Sequence, residues 1–366
     1  MGKTARAGAP LILAINPGST STKVALFRGP RRVAEEAVRH SAASLRRFRR
    51  IVDQAPLRER AVRAMLNRHR IRPGSLAAVV GRGGLLAPCP SGTYRVGPEM
   101  LEDLAAERYG AHASNLGAIL ADRITSAVGV PAFVVDPVVV DELCPEARLS
   151  GMPEIPRRSV WHALNHKRVA RRVAGRIGRR YEDANLVVAH LGGGVSVAAH
   201  RRGRAVEVNN ALDGEGPFAV ERSGAVPAAD LLDLAERRPG RQLRRRIAGA
   251  GGVAAYLRTN DLREVERRVA AGDATAQAVL SAMGYQIARE IGACAATLAG
   301  RVDAVVLAGG AARCRRLTAR IRRRVTFIAP VYTVPGEMEM EALADGALRV
   351  LSGEARARSY PPRRRS

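Results

Sequence analysis

The chain has 366 residues, enough for about two domains of roughly 100–200 residues with real cores, so a peptide scaffold or a wholly disordered chain is excluded. Hydrophobic residues make up 46% and charged residues 26%, which is ordinary for a globular protein, but the net charge of +26 is not. Of 60 basic residues only Lys3, Lys23 and Lys167 are lysine, leaving 57 arginines spread along the chain, and with aromatics at 4% there are few stacking platforms of the kind nucleic-acid binders use.

In chain order, the apolar run 11–15 predicts a buried strand. It breaks at Asn16-Pro17-Gly18-Ser19-Thr20-Ser21-Thr22, resumes over 23–27, and turns through Arg28-Gly29-Pro30 toward a third strand near Val33. Residues 77–80 and 132–135 read as buried strands, 99–109 and 113–128 as helices, and 159–179 as a long basic helix. The opening pattern then returns: a strand over 186–189, the turn His190-Leu191-Gly192-Gly193-Gly194, a strand over 195–199, the turn Arg201-Arg202-Gly203 and a strand over 205–208. Helical spacing follows at 228–236, 262–271 and 274–298, then a strand over 302–307 ending in Gly309-Gly310, and a last helix over 342–351. Asn16, Gly18 and Gly29 fall on His190, Gly192 and Gly203 at one constant offset of 174, without a gap. That predicts an internal duplication; two unrelated hairpins that look alike are the plainer reading. Alternating strands and helices predict an α/β fold with covered, mainly parallel or mixed sheets.

Cys89, Cys144, Cys294 and Cys314 form no CxxC pair or metal spacing, which suits a reducing compartment. Residues 1–10 lack the apolar core of a signal peptide, and no stretch has membrane-span length, so a cytoplasmic location is expected.

Three glycine turns at strand ends carry the chemistry. In the first, Gly18 permits a tight turn in which backbone N–H groups converge, Ser19 and Ser21 add hydroxyl donors, and Lys23 adds a point charge, the equipment for holding phosphate oxygens. It is not a Walker A loop, because GxxxxGK[ST] is absent and a strand follows. Gly192, Gly193 and Gly194 repeat the logic, and Gly309 and Gly310 end another buried strand. A polar hairpin turn is the competing reading for each. Asp136 closes the 132–135 strand, where a carboxylate positions a metal or takes a proton, or simply forms a turn before Pro137. Arg82, set among Gly81, Gly83 and Gly84, and Arg222 are candidates for neutralising an anion bidentately, against a background of many solvated arginines. There is no HExxH zinc pattern and no G-x-S-x-G elbow, so zinc-enzyme and such hydrolase readings fall away.

The chain resembles the acetate and butyrate kinase family, on its butyrate branch, within the actin-like ATPase-domain superfamily. The resemblance runs over nearly all of 11–352. It is carried by Ile15-Asn16-Pro17-Gly18-Ser19-Thr20-Ser21-Thr22-Lys23, Gly81-Arg82-Gly83-Gly84-Leu85-Leu86 and His112-Ala113-Ser114-Asn115-Leu116-Gly117-Ala118. It continues in Val134-Val135-Asp136-Pro137-Val138-Val139-Val140-Asp141-Glu142, Trp161-His162-Ala163-Leu164-Asn165-His166-Lys167, Val188-Ala189-His190-Leu191-Gly192-Gly193-Gly194 and Val208-Asn209-Asn210-Ala211-Leu212-Asp213-Gly214-Glu215-Gly216-Pro217-Phe218.

The resemblance implies duplicated actin-like (ribonuclease H-like) α/β domains with an inter-domain nucleotide cleft. The expected division is 10–155 plus a returning helix at 340–353 for the acyl-substrate side, 156–339 for the nucleotide side, and a disordered Arg-rich tail over 354–366. The implied reaction is reversible phosphoryl transfer between ATP and a short-chain carboxylate, giving ADP and an acyl phosphate. Butyrate is the expected substrate, with isobutyrate, acetate or propionate as alternatives; a non-catalytic nucleotide- or polyanion-binding protein is the reading from another class. By the same resemblance Asn16, Ser19, Ser21 and Lys23 face phosphates, Asn16 and Glu339 help hold Mg2+ with Glu337 as runner-up, and Arg82 and Arg222 bind the acyl substrate. Asp136 serves the reacting oxygen or its metal, and His166 contacts the phosphoryl group in flight. His190 with Gly192, Gly193 and Gly194 gives a phosphate contact from the second half, and Asp261, Arg263, Gly309 and Gly310 fit the adenosine pocket. Ala311-Ala312-Arg313-Cys314 departs from the polar or acidic stretch expected there. The resemblance also implies a homo-oligomer, while the lack of a membrane-length apolar stretch and the even spread of arginine argue against membrane and nucleic acid as partners.

Overall fold

The computed structural model describes residues 8–238 and 240–360. The chain divides into two compact units, one running to Val140 and resuming at Met338, the other spanning Asp141–Glu337.

The first unit is built on a sheet of six strands: β1 (Leu11–Pro17), β2 (Ser21–Arg28), β3 (Arg31–Arg39), β4 (Ala78–Arg82), β5 (Thr93–Arg95) and β6 (Ala132–Val135), in the order β3-β2-β1-β4-β6-β5. β1, β4 and β6 are parallel and buried, which is why each is a short unbroken apolar run with no alternation. The Glu339–Leu351 helix packs on β1, β4 and β6, and the Leu116–Thr125 helix packs on β1, β4 and β6 as well. Gly81, Gly84 and Gly117 allow that second approach, and Gly83 allows the chain after β6 to pass close by. A methyl group on Gly81 would overlap the Gly117 carbonyl, one on Gly117 the Arg82 carbonyl, one on Gly83 Pro137, and one on Gly84 Asn115. The glycines around Arg82 therefore serve close packing of the chain against β4.

The second unit repeats the plan with β7 (Asn185–Leu191), β8 (Val195–Arg201), β9 (Arg204–Val208), β10 (Ala304–Gly309) and β11 (Val331–Pro335), in the order β9-β8-β7-β10-β11. Antiparallel β7-β8-β9 answers β1-β2-β3, and parallel β7-β10-β11 answers β1-β4-β6. The duplication thus extends to five strands, but the gapless offset is corrected. β1 joins β2 with Pro17 opposite Thr22, whereas β7 joins β8 with Leu191 opposite Val195, so the second turn is one residue shorter. Beyond it the offset is 173: the bulge at Leu26/Phe27 recurs at Ala199/His200. Gly29 then corresponds to Arg202, and both take a left-handed φ (56° and 48°).

Several other boundaries differ from the sequence expectation. The helix expected over 159–179 is Ala163–Arg176, stopped where Gly178 turns at φ 73°. The helices expected over 99–109 and 113–128 shrink to Pro98–Ala105 and Leu116–Thr125. The Ala55–Arg68 and Arg315–Val325 helices, β5 and β11 were not anticipated. The unit boundary falls at Val140 and not at 155, because Cys144 N–H bonds Val206 O and Arg157 reaches Ala147 O, Val208 O, Glu207 and Glu215, tying this segment to the second unit. The expected disordered tail is likewise corrected as far as residue 360. Arg358 pairs with β5 through Thr93 O and Arg95 N–H, and the buried Tyr360 hydroxyl meets Asp103 and Ala87 N–H. Residues 361–366 lie outside the described residues.

Candidate active site

In each unit the polar residues collect at the carboxyl ends of the parallel strands, where open α/β sheets bind ligands. In the first unit Asn16 ends β1, Arg82 ends β4 and Asp136 follows β6. Asn16 Nδ2 donates to Glu339 Oε2 at 2.6 Å, and Arg82 Nη1 donates to the same oxygen at 3.0 Å and lies 3.4 Å from Asn16 Oδ1. Glu339 is buried at the start of its helix, where the dipole favours a carboxylate, while Arg82 keeps 19% of its side chain exposed. Asp136 accepts from Ser91 Oγ (2.6 Å) and Gly92 N–H (2.8 Å) through Oδ1. Its φ of 37° is a left-handed, strained conformation for a residue with a side chain, of the sort that concentrates at functional sites.

The Gly18 turn closes with Gly18 N–H donating to Ser21 O at 2.8 Å; Ser19 is exposed, and Ser21 and Lys23 are half-buried. Beneath it lies Arg58, a residue sequence reasoning missed. Although 0% exposed, its guanidinium donates to Gly18 O and Ser21 O (both 2.8 Å), Ser19 O (3.2 Å), Thr22 Oγ1 (3.2 Å) and Gln54 Oε1. These acceptors are all neutral, and burial draws the guanidinium pKa down to about 10. A positive charge thus backs the turn and holds its carbonyls inward.

In the second unit the Ala163–Arg176 helix, β7 and β8 bring four histidines together. His162 stacks on His190 with ring centroids 4.0 Å apart and planes 9° from parallel, and His166 stacks on His200 at 5.6 Å. Burial holds His166 and His200 well below the ordinary imidazole pKa, helped by each other's neighbours and by Lys167. His166 was expected at the phosphoryl group, but it is 0% exposed, with Nε2 on Ser196 Oγ (2.9 Å) and Nδ1 on His200 (3.3 Å). That expectation is corrected: the half-buried member is His162, one turn earlier on the same helical face.

The glycine turn after β7 is partly covered. Gly194 lies under the Arg222 guanidinium, which donates to Ala211 O, whereas Gly192 and Gly193 line a cavity of about 460 Å³ with Asp261, Arg263, Gly310, Glu337 and Cys314. Gly309 is not among the lining residues; its φ of 87° and lack of a side chain let it pack on the Leu191 backbone. Asp261 caps the Leu262–Ala270 helix and pairs with Arg263 at 2.8 Å, which lowers the Asp261 pKa to about 2. Among the described residues no three His, Cys, Asp or Glu side chains form a metal cluster, and no helix is long and apolar enough to cross a membrane.

Residues 153–340 match the Acetokinase family. The chain is 51% identical over 351 residues to a probable butyrate kinase of Enterococcus faecalis, covering 95% of this chain and 97% of that protein. It is 48% identical over the same length to butyrate kinase 1 of Clostridium acetobutylicum, covering 99% of that protein. Among solved structures, the acetate kinase of Porphyromonas gingivalis superposes with a TM-score of 0.77 over 94% of this chain and 100% of that one, at 19% identity, a likeness of fold.

Proposed function

The chain belongs to the acetokinase family, and from that premise we propose that it is an ATP-dependent carboxylate kinase whose acceptor is butyrate. The observation that carries the choice of acid is the identity of about half the residues, along 95% of the chain, with proteins named butyrate kinase. The carboxylate oxygen is already an anion, so it attacks the γ-phosphorus without a general base. One O–P bond forms as the bond to the β-phosphate oxygen breaks, and ADP leaves. The obstacle is the approach of two anions, which positioned cations and N–H donors address.

In this reading the first unit supplies Arg82 for the acyl group, Asp136 beside it, and the Gly18 turn with Ser19, Ser21 and Lys23 for phosphate. The second unit supplies Arg222, His190 and the Gly192 turn, with the 460 Å³ cavity for the adenosine. His162 replaces His166 as the histidine that donates to the phosphoryl group. A divalent cation, Mg2+ in this proposal, suits Asn16 Oδ1 and the Glu339 carboxylate, because Mg2+ takes hard oxygen donors and is held by one or two carboxylates together with phosphates and water. Bound there it would neutralise phosphate charge. Glu339 is preferred to Glu337, which lines the cavity of the second unit. A cytoplasmic homo-oligomer completes the proposal, and sedimentation would give the assembly size.

Trapping acyl phosphate as hydroxamate across acetate, propionate, butyrate, isobutyrate and valerate tests the reading. Butyrate should give the highest kcat/KM; a methylene is worth only about 1–3 kcal/mol, so neighbours should retain some activity. A preference for acetate would overturn the acyl assignment, and no product from any acid would favour a non-catalytic binder. Arg82→Lys keeps a cation beside Glu339 but loses the planar fork, and should lower kcat/KM about a hundredfold with an unchanged melting temperature.

A further inference from the structure

The four histidines are linked by more than proximity. Tyr181 Oη lies 2.7 Å from His200 Nδ1, His200 Nε2 lies 3.3 Å from His166 Nδ1, His166 Nε2 lies 2.9 Å from Ser196 Oγ, and Ser196 Oγ lies 2.9 Å from His162 Nδ1. Every link joins a group that can donate or accept, so the chain has two consistent polarities. In one, each group donates toward His162, and the three linked imidazoles all carry hydrogen on Nε2. In the other, each donates toward Tyr181, and all three carry it on Nδ1. His166 and His200 are buried and neutral, so neither end of the chain is masked by an imidazolium inside it.

The chemistry of the first link sets the choice. A phenol is a stronger donor than acceptor and a neutral imidazole nitrogen the stronger acceptor, so Tyr181 Oη donates its hydrogen to His200 Nδ1, 2.7 Å away, and the chain aligns toward His162. A neighbouring contact sets His190 by a separate route. Asn165 Nδ2, an obligate donor, lies 2.8 Å from His190 Nδ1, so that nitrogen accepts and Nε2 holds the hydrogen. His190 Nε2 is also the ring atom nearest Gly192, about 3.5 Å from where a side chain on that glycine would begin.

We propose that Tyr181, His200, His166 and Ser196 are positioning residues that set the hydrogen-bond polarity of His162, and that Asn165 does the same for His190, so that both stacked imidazoles are held as neutral Nε2–H donors. The inference rests on the kinase reading, in which those donors serve an anionic phosphoryl group. A neutral pair avoids the repulsion that two imidazolium rings 4.0 Å apart would meet, and an imidazole whose Nε2 carries hydrogen has no lone pair there to compete with the carboxylate for phosphorus.

The test is long-range 1H–15N correlation on protein labelled with 15N-histidine, which distinguishes the two neutral tautomers directly. At pH 7.5, without nucleotide, His162, His166, His190 and His200 should all report hydrogen on Nε2, assigned through single His→Gln variants. Nδ1–H signals from His166 and His200 would overturn the proposed polarity, whether or not the enzyme makes butyryl phosphate; absence of product together with Nε2–H signals would instead sink the kinase reading alone. Tyr181→Phe supplies the kinetic arm. Removing the first donor frees the chain to reverse, so Nδ1–H signal should emerge at His200 and kcat should fall about tenfold with little change in the KM for ATP. Unchanged tautomers and unchanged kcat in that variant would likewise reject the proposal.

Discussion

His166 and His200 give the clearest consequence at the scale of single residues. Both are completely buried and have pKa values pushed well below the ordinary 6.5 by desolvation and nearby positive groups. The unfolded chain therefore binds more protons than the folded one once the pH drops below about 6.5, and stability falls with pH in that window. Above it both states hold neutral rings and the effect vanishes. Two such groups should cost about 2–3 kcal/mol between pH 7.5 and 5.5, measurable by urea unfolding at each pH. His200→Gln should remove about half of that dependence; an unaltered slope would mean the rings titrate in place. The same residues mark the limit of what can be read from sequence. Asn16, Arg82 and Asp136 stand at strand ends beside turns and were legible, and the structure brings Asn16 and Arg82 onto Glu339 from 257 or more residues away. Which of His162 and His166 is the more exposed was not legible, since helical spacing puts both on one face and only burial separates them. Arg58 was invisible because nothing in its neighbourhood distinguishes it among 57 arginines.

At the scale of elements, apolar runs fell where the parallel strands β1, β4, β6, β7 and β10 are, since strands buried on both faces leave an unmistakable pattern, whereas parallel β11 at the sheet edge is only partly buried and lacks it. The misses have a common cause. β5 is three residues long and owes its place to pairing with β6 and with Arg358, and the Arg315–Val325 helix is so rich in arginine that only Leu317, Ile321 and Val325 mark its buried stripe. The role of a glycine is hidden for a related reason: the sequence shows where a side chain is absent but not what fills the space. Gly117 and Gly81 interlock the Leu116–Thr125 helix with β4, whereas Gly292, inside the Ala274–Thr297 helix, faces open space. Gly117→Ala should therefore destabilise the fold by about 3 kcal/mol, the upper range of overpacking, because the obstacle is a backbone carbonyl that cannot rotate away. Gly292→Ala should stabilise it by about 1 kcal/mol through helix propensity alone. Thermal or urea unfolding of the two variants should show opposite signs, and a shared sign would refute this division of the glycines.

For the whole molecule, the duplication and the charge have to be read together. The parallel strands end in Asn16, Arg82 and Asp136 in one sheet and in His190 and the Gly309–Gly310 turn in the other, so one repeated strand plan carries two different sets of groups. Against that local specialisation, the surplus of 26 positive charges is diffuse. Many arginines are consumed in exposed pairs such as Arg63 with Glu59 and Arg148 with Asp141, which contribute little individually. What remains is a long-range field, and a field acts on encounter more than on chemistry. Raising ionic strength from about 10 to about 100 mM shortens the screening length from about 30 to about 10 Å, which removes the distant arginines while leaving Arg58, beneath the Gly18 turn, and Arg82 nearly untouched. The KM for ATP should therefore rise several-fold over that range at saturating butyrate and constant excess of divalent cation, while kcat changes less than about twofold. Initial rates in potassium chloride give both numbers. A flat KM would show that the site's own residues supply all the attraction the nucleotide feels, and a falling kcat would show that salt reaches the buried cations after all.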